Sequence, residues 1–372
     1  MNTALRERLT QFQCAFQREL VPLVEADLQQ RLTPTLERLL RIWEIVQVER
    51  YVPSSRGCVG RPPRDRAALA RAFVAKSVLG LTQTSDLVER LNADVTLRRL
   101  CGFDLRRSGV LREYLFSRAF AEFARQDLPA RVHEALIRTQ LGDGVMGHVS
   151  RDSTAIQARE TPVKVAQEAA PKPAPRKRGR PRKGEVREAP PKTRLERQAA
   201  GMRLDAMLAD LPQACDVGSK RDSRGFKLSW TGYKLHLDVA DGMIPISAVL
   251  TSASVHDSQV AIPLATLSAQ RITHCYDLMD AAYCSPIIRA HSAQMGHVPL
   301  IDHNPRGGEK IPFAPHQAQR FKERSTVERV NGRLKDDFGA HRINVRGHAK
   351  VLTHLMFAVL ALTADQLLRW IT

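Results

Sequence analysis

Residues 229–254 read SWTGYKLHLDVADGMIPISAVLTSAS, two runs of alternating polarity that flank the dipeptide Asp241-Gly242. Asp-Gly between alternating runs is a strong short-range signal for a β-hairpin, because glycine accepts the positive φ that a tight turn demands. Outward from this hairpin the period keeps changing. Upstream, GHVSRDST (147–154) is short and partly β-branched and predicts one more strand. Downstream come a helix starting near Asp257, a strand THCYDLMD from Thr273 to Asp280, a helix after Tyr283, and a short strand in HVPLI. A helix from about Phe321 to Phe338 and an apolar helix from about Lys350 to Trp370 complete the chain. Three strands in meander order followed by alternating helix and strand predict an α/β fold, a mixed sheet flanked by helices.

The first 140 residues read as helical. Asp65 stands as an N-cap before RAALARAFVAKSVLGLT, whose apolar residues recur at three and four, and Ser85 reads as the cap of the next helix. Interspersed arginines suit a DNA-binding domain, and a dimerisation or packing module fits the pattern equally well. The division expected is a helical N-terminal domain at 1–140, a catalytic-type α/β domain at 145–345 and a C-terminal helix at 346–372 packed on it. Between about 158 and 224 the composition shifts. Thr161 to Arg197 holds seven prolines and almost no large apolar residue, so an insert disordered when unbound is expected there.

The 372 residues carry 57 Lys plus Arg against 39 Asp plus Glu, a net charge of +18. So much uncompensated charge points to a polyanionic partner. The six cysteines form no CxxC pair, and His274, Cys275 and Cys284 lack the second pair that a zinc site needs. The apolar stretch LMFAVLALTA (355–364) is shorter than the roughly 20 residues that span a bilayer. MNTALRERLTQ carries no apolar signal segment, and a cytoplasmic, nucleoid-associated protein is expected.

Three acids stand out. Asp152 and Asp280 end apparent strands, and Glu328 lies on FKERSTVERVNGRLKDDFG (321–339). At roughly 100° per residue, Arg324, Glu328 and Lys335 share an arc of about 60° beside an apolar stripe of Val327, Val330, Leu334 and Phe338. Lys322, Arg329 and Arg333 make a further basic face. Each Asp alone also reads as a turn or cap residue, and a helical glutamate is usually just solvated. Together the three supply hard oxygen ligands of the kind Mg2+ prefers, Asp152 shared and Asp280 and Glu328 completing either side. Two ions about 3.5–4 Å apart could then serve an in-line phosphodiester displacement.

Asp152 in RDST, Asp280 in DAAY and the pattern Phe321-x2-Arg324-x3-Glu328-x6-Lys335 resemble the first Asp, the second Asp with its Tyr, and the Y-x2-R-x3-E-x6-K signature of bacterial insertion-sequence DDE transposases. GYKLHLDV (232–239), AVLTSASVHDS (248–258), VRGHAKVLTHLMFAVLALTA (345–364) and RPPRDRAALARAF (61–73) resemble other segments of that family. The resemblance implies an RNase H-like catalytic domain that cuts at the ends of its element and joins the freed 3′-hydroxyl to target DNA with Mg2+, for which Mn2+ may be substituted experimentally. It implies Asp152, Asp280 and Glu328 as metal ligands, Arg324 and Lys335 on DNA phosphates, Tyr283 as the DNA-contacting aromatic after the second Asp, and a homodimer when two DNA ends are synapsed. Phe321 departs from the family's Tyr. His256-Asp257 matches a recurring pair, in which Asp257 reads as an N-cap.

Within the insert, PRKRGRPRKGE places Gly179, Arg180 and Pro181 between Arg178 and Arg182. An extended core this thin fits the narrow minor groove of A·T-rich DNA, and the stretch resembles an AT-hook; a plain basic linker is its alternative. Two other readings of the whole chain stay open: a two-metal nuclease without strand transfer, and a transposase-derived DNA-binding protein with impaired catalysis.

Overall fold

The computed structural model describes residues 20–28, 31–53, 65–103, 109–162, 191–221, 225–305 and 308–370. The alternating runs form one sheet: β1 (Val145–Ala158), β2 (Asp216–Arg221), β3 (Lys227–Ala240), β4 (Ile244–Ser252), β5 (Thr273–Met279), β6 (Val298–Ile301) and β7 (Arg342–Ile343). β3 and β4 are the hairpin anticipated around Asp241-Gly242. Gly242 has φ +73°, and a Cβ there would collide with the Trp370 indole, so both the turn and its neighbour demand glycine. β1 lies at the centre, antiparallel to β3 and parallel to β5, with β6 parallel beyond β5. The succession β4–β3–β1–β5–β6, three antiparallel strands and then two parallel ones, is an RNase H-like sheet.

Helices α1 (Val21–Leu28), α2 (Pro34–Val46), α3 (Arg66–Val78), α4 (Thr84–Ala93), α5 (Val95–Leu100), α6 (Glu113–Arg125) and α7 (Leu128–Leu141) precede the sheet. Asp65 caps α3 through the N–H groups of Ala67 and Ala68. Ser85 does not cap α4, which already begins at Thr84; its hydroxyl donates to Asp86. Helices α8 (Arg194–Ala199), α9 (Leu204–Ala209), α10 (Ala261–Ala269), α11 (Pro286–Gln294), α12 (Pro315–Phe321), α13 (Ser325–Asp336) and α14 (His348–Arg369) follow.

Larger expectations change as well. Residues 191–221, placed in the disordered insert by their composition, form α8, α9 and the edge strand β2. A Thr193–Glu196 capping box starts α8, and Asp210 pairs with Arg194 at 2.8 Å and Arg197 at 2.7 Å. Leu211 joins Val249, Val255, Val260 and Leu264 in a small cluster under α10. A few well-placed apolar residues therefore suffice where the prolines end. The proposed AT-hook residues Arg178, Gly179, Arg180, Pro181 and Arg182 lie outside the described residues.

The single helix expected over 321–338 is two. α12 ends at Phe321, a 3₁₀ turn covers Lys322–Arg324, and α13 starts at Ser325. Thr326 Oγ1 donates to Glu323 O at 2.8 Å, a local side-chain bond that competes with continuous α-helix. Val327, Val330 and Leu334 are buried as their stripe predicts, each contributing roughly 1.5–3 kcal/mol by burial.

The helix α14 is long and apolar enough to cross a membrane, yet it is packed inside the protein against α2, α3, α6, α7 and β4. It belongs to a hydrophobic cluster running from Leu32 through the sheet to Leu367. Phe357 of α14 stacks on Phe73 of α3 with ring centroids 5.7 Å apart. Lys76 of α3 is buried against it, Nζ 2.9 Å from Thr82 O and 3.3 Å from His354 Nδ1, and burial lowers its pKa to about 7. Arg333, anticipated on a free basic face, instead reaches Asp365 at 2.7 Å, where Arg38 and Arg369 converge at 2.6 and 3.0 Å.

Candidate active site

Strand register brings the first two acids together. In the parallel pair β1–β5, Arg151 lies opposite Met279, so the next residue of each strand is Asp152 and Asp280. Neighbouring strands lie about 4.8 Å apart; Asp280 follows the last residue of β5, whereas Asp152, expected at a strand end, lies inside β1, which runs on along β3 to Ala158. Arg151 points to the opposite face and locks this register. Fully buried, it donates to both carboxylate oxygens of its β3 partner Asp238, at 2.7 and 2.8 Å, and lies 3.7 Å from Asp277 of β5. One guanidinium thus ties three strands beneath the acids.

Asp152 accepts from Asn331 Nδ2 of α13 at 3.3 Å. Burial raises its pKa to about 6, and the negative charges of Asp280 and Asp257 push the same way, against the Ser153 N–H and Arg324. Asp280 accepts from the Ala282 N–H at 3.0 Å, and its pKa is raised first by burial and then by Asp257 and Asp302. Among the described residues neither carboxylate has an ion pair of its own within 4 Å. Two crowded, desolvated carboxylates short of countercharge fit a divalent cation.

Glu328 is not drawn into that pair. Its side chain is 54% exposed and is held by Arg324, whose charge also reaches Asp152 and Asp280. Arg324 therefore links all three acids. Lys335 is half-buried; burial first, then the repulsion of Lys220 on β2, lowers its pKa, while Asp152 acts in the opposite sense. Lys335, within reach of Asp152, and Lys220 next to it form a cationic flank. Tyr283, anticipated as a DNA-contacting aromatic, is buried in a cluster with Ala261, Met279, Ile288 and Ile301 and offers a base no surface. Its hydroxyl has no hydrogen-bond partner, and Asp257, Asp152 and Asp280 all hold its pKa up, after burial.

Four residues were not anticipated here. Asp257 caps nothing: His256 takes the N-cap position, and Asp257 Oδ1 accepts from Ser153 Oγ at 2.9 Å and Lys234 Nζ at 3.0 Å. Asn331, Lys220 and Asp302 complete the set. Only Asp257 carried a sequence signal, its place in the His256-Asp257 pair.

Among the described residues, the group of His, Cys, Asp or Glu side chains with ligand atoms all within 4.8 Å is a different one, His274, Asp277 and His297. The histidines meet different oxygens of Asp277, at 3.1 and 3.2 Å, with Ser292 Oγ and Arg151 as further partners. Their rings lie tilted by 38° with centroids 3.7 Å apart, closer than the roughly 5 Å expected for two imidazoles on one tetrahedral ion with ~2.0 Å bonds. This is a buried hydrogen-bond network that, burial notwithstanding, holds Asp277 well below the usual carboxylate range.

Residues 148–364, more than half of the chain, match a family described as transposase DDE domain, and residues 26–122 match one described as transposase domain (DUF772). No match was found among curated proteins or among solved structures.

Proposed function

The chain belongs to the DDE-domain transposases, and from that premise we propose that it cuts DNA at the ends of an insertion sequence and joins the freed 3′-hydroxyl to target DNA. The family acts on DNA with divalent metal ions. The observation that carries the finer reading is the parallel register setting Asp152 beside Asp280, neither with an ion pair of its own within 4 Å among the described residues. Asp152, Asp280 and Glu328 are the residues to hold the metal, two Mg2+ in this reading, with Mn2+ as substitute. When bound, such ions activate the attacking oxygen and stabilise the leaving one.

The chain's own groups do the rest. Arg324 is engaged by Glu328; a phosphate that takes up the guanidinium, a bidentate partner for phosphate oxygens, frees the carboxylate to complete the acid set. Lys335 and Lys220 neutralise further phosphate charge. Arg151 keeps the two strands in register and takes no part in the chemistry. The insert supplies an AT-hook at Arg178–Arg182, a homodimer synapses two ends, and the protein works at the nucleoid. Phe321, whose ring lies 4.7 Å from that of Phe313, supplies no hydroxyl where the family has Tyr.

The test is incubation of purified protein with Mg2+ and a duplex carrying the element's terminal repeats. Joined products are expected; cut products alone would leave a nuclease, and binding alone a DNA-binding derivative. Asp280→Ala should abolish cleavage with DNA affinity unchanged within about twofold, because metal ligation and phosphate contact lie on different groups. Equal loss of both in gel-shift and cleavage assays would count against the assignment.

A further inference from the structure

Asp257 stands at the acid group without belonging to the metal set assigned above. It is tied there twice, through the Ser153 hydroxyl, which belongs to the residue after Asp152, and through Lys234, whose Nζ also donates to Val255 O at 2.8 Å. Its side chain is 20% exposed, against 54% for Glu328. Its charge acts on Asp152, on Asp280 and on Tyr283 alike, and the 3₁₀ turn Asp257–Gln259 packs against the turn Ala281–Tyr283, whose buried tyrosine hydroxyl has no hydrogen-bond partner. Glu328 meanwhile is occupied by Arg324.

Resting on the functional reading just given, we propose that Asp257 is a positioning residue of the cation site and that, in the protein without DNA, it sets divalent-metal affinity in place of Glu328. It does so in two ways. The Ser153 bond fixes the stretch of β1, just past its last pairing with β5, that presents Asp152, and the carboxylate contributes the third negative charge seen by an incoming cation. Lys234 is the resident counter-ion of that charge. A divalent cation binding at Asp152 and Asp280 competes with Lys234 for the field of Asp257, so the lysine weakens the site that the aspartate strengthens. Carboxylates and hydroxyls behind the ligands typically change metal affinity about 10–100-fold when removed.

The experiment is Mn2+ titration of the full chain without DNA, followed by electron paramagnetic resonance of free Mn2+ and by calorimetry, with a thermal melt in chelator to establish folding. Asp257→Asn should weaken Mn2+ binding about tenfold, Glu328→Gln should change it less than about twofold, and Lys234→Met should tighten it about threefold. A merely structural tie between Asp257 and Lys234 predicts weakening from both of its variants. Ser153→Ala removes the tie while keeping the charge; it should weaken Mn2+ binding relative to wild type, though less than Asp257→Asn, and if the latter fails to fold an affinity of Ser153→Ala equal to wild type overturns the inference. Unchanged affinity in Asp257→Asn, equal damage from Glu328→Gln, or weakening by Lys234→Met would each overturn the inference. These readouts need neither DNA nor turnover, so failure of the strand-transfer assay on wild-type protein would bear on the functional reading alone.

Discussion

Asp152 shows what burial does to a single carboxylate. Its carboxyl is raised to about 6 in the fold, so the native state holds the proton more tightly than the unfolded chain, whose value is near 3.9. The sign follows from linkage: the metal-free protein loses stability as pH rises from about 4 to about 6, and the loss is complete above that. Asp152→Asn should therefore stabilise the metal-free protein at about pH 8 by on the order of 2 kcal/mol and change little at about pH 4, while abolishing metal-dependent cleavage. Urea unfolding in chelator at the two pH values measures it; a loss of stability at the higher pH would contradict the assigned cause. At this scale the sequence was informative for Asp152 and Asp280 through their places in RDST and DAAY taken together with Glu328; a following Ser or Ala alone marks only a turn or cap, and Asp152 lies inside β1 rather than at its end. It was silent on the environment: that Asp257 reaches Ser153 rather than an N–H depends on contacts 104 residues apart.

At the scale of elements, legibility followed periodicity. The β3–β4 hairpin, β5, β6 and the apolar stripe of α13 repeat with a clear period and lie where that period puts them. The 3₁₀ turn at Lys322–Arg324 does not disturb the stripe, so nothing in the spacing reveals it. The strand β2 reads DVGSKR and pairs along one side of β3; with Val217 exposed it buries too little to alternate. Composition hid it inside the insert, and with it Lys220. Lys220→Ala should leave thermal stability within about 0.5 kcal/mol, being an exposed site, and weaken DNA binding several-fold by removing a phosphate contact. For the GRP segment, Arg180→Ala should weaken binding to A·T-rich duplex more than to G·C-rich duplex, as fluorescence anisotropy on the two would report. Equal losses would reduce the segment to an unselective cationic linker.

For the whole molecule, the charge of +18 was readable at once and carries its own prediction: log affinity for duplex should fall linearly with log salt, with a slope of about −0.9 per phosphate neutralised. The slope should be shallower by about one for Lys220→Ala. The union of the helical region with the sheet was not readable. α14 is apolar on nearly every face, and such a helix announces only that it is enclosed, not by what; Phe73, Phe357 and the sheet meet on it from sequence positions far apart. That arrangement governs biogenesis. A polypeptide emerges from the ribosome beginning at its N-terminus, and neither half of this core can close until residue 369 has cleared the exit tunnel. Prematurely terminated translation products that lack this helix would thus leave uncovered the apolar surfaces of both regions that it encloses.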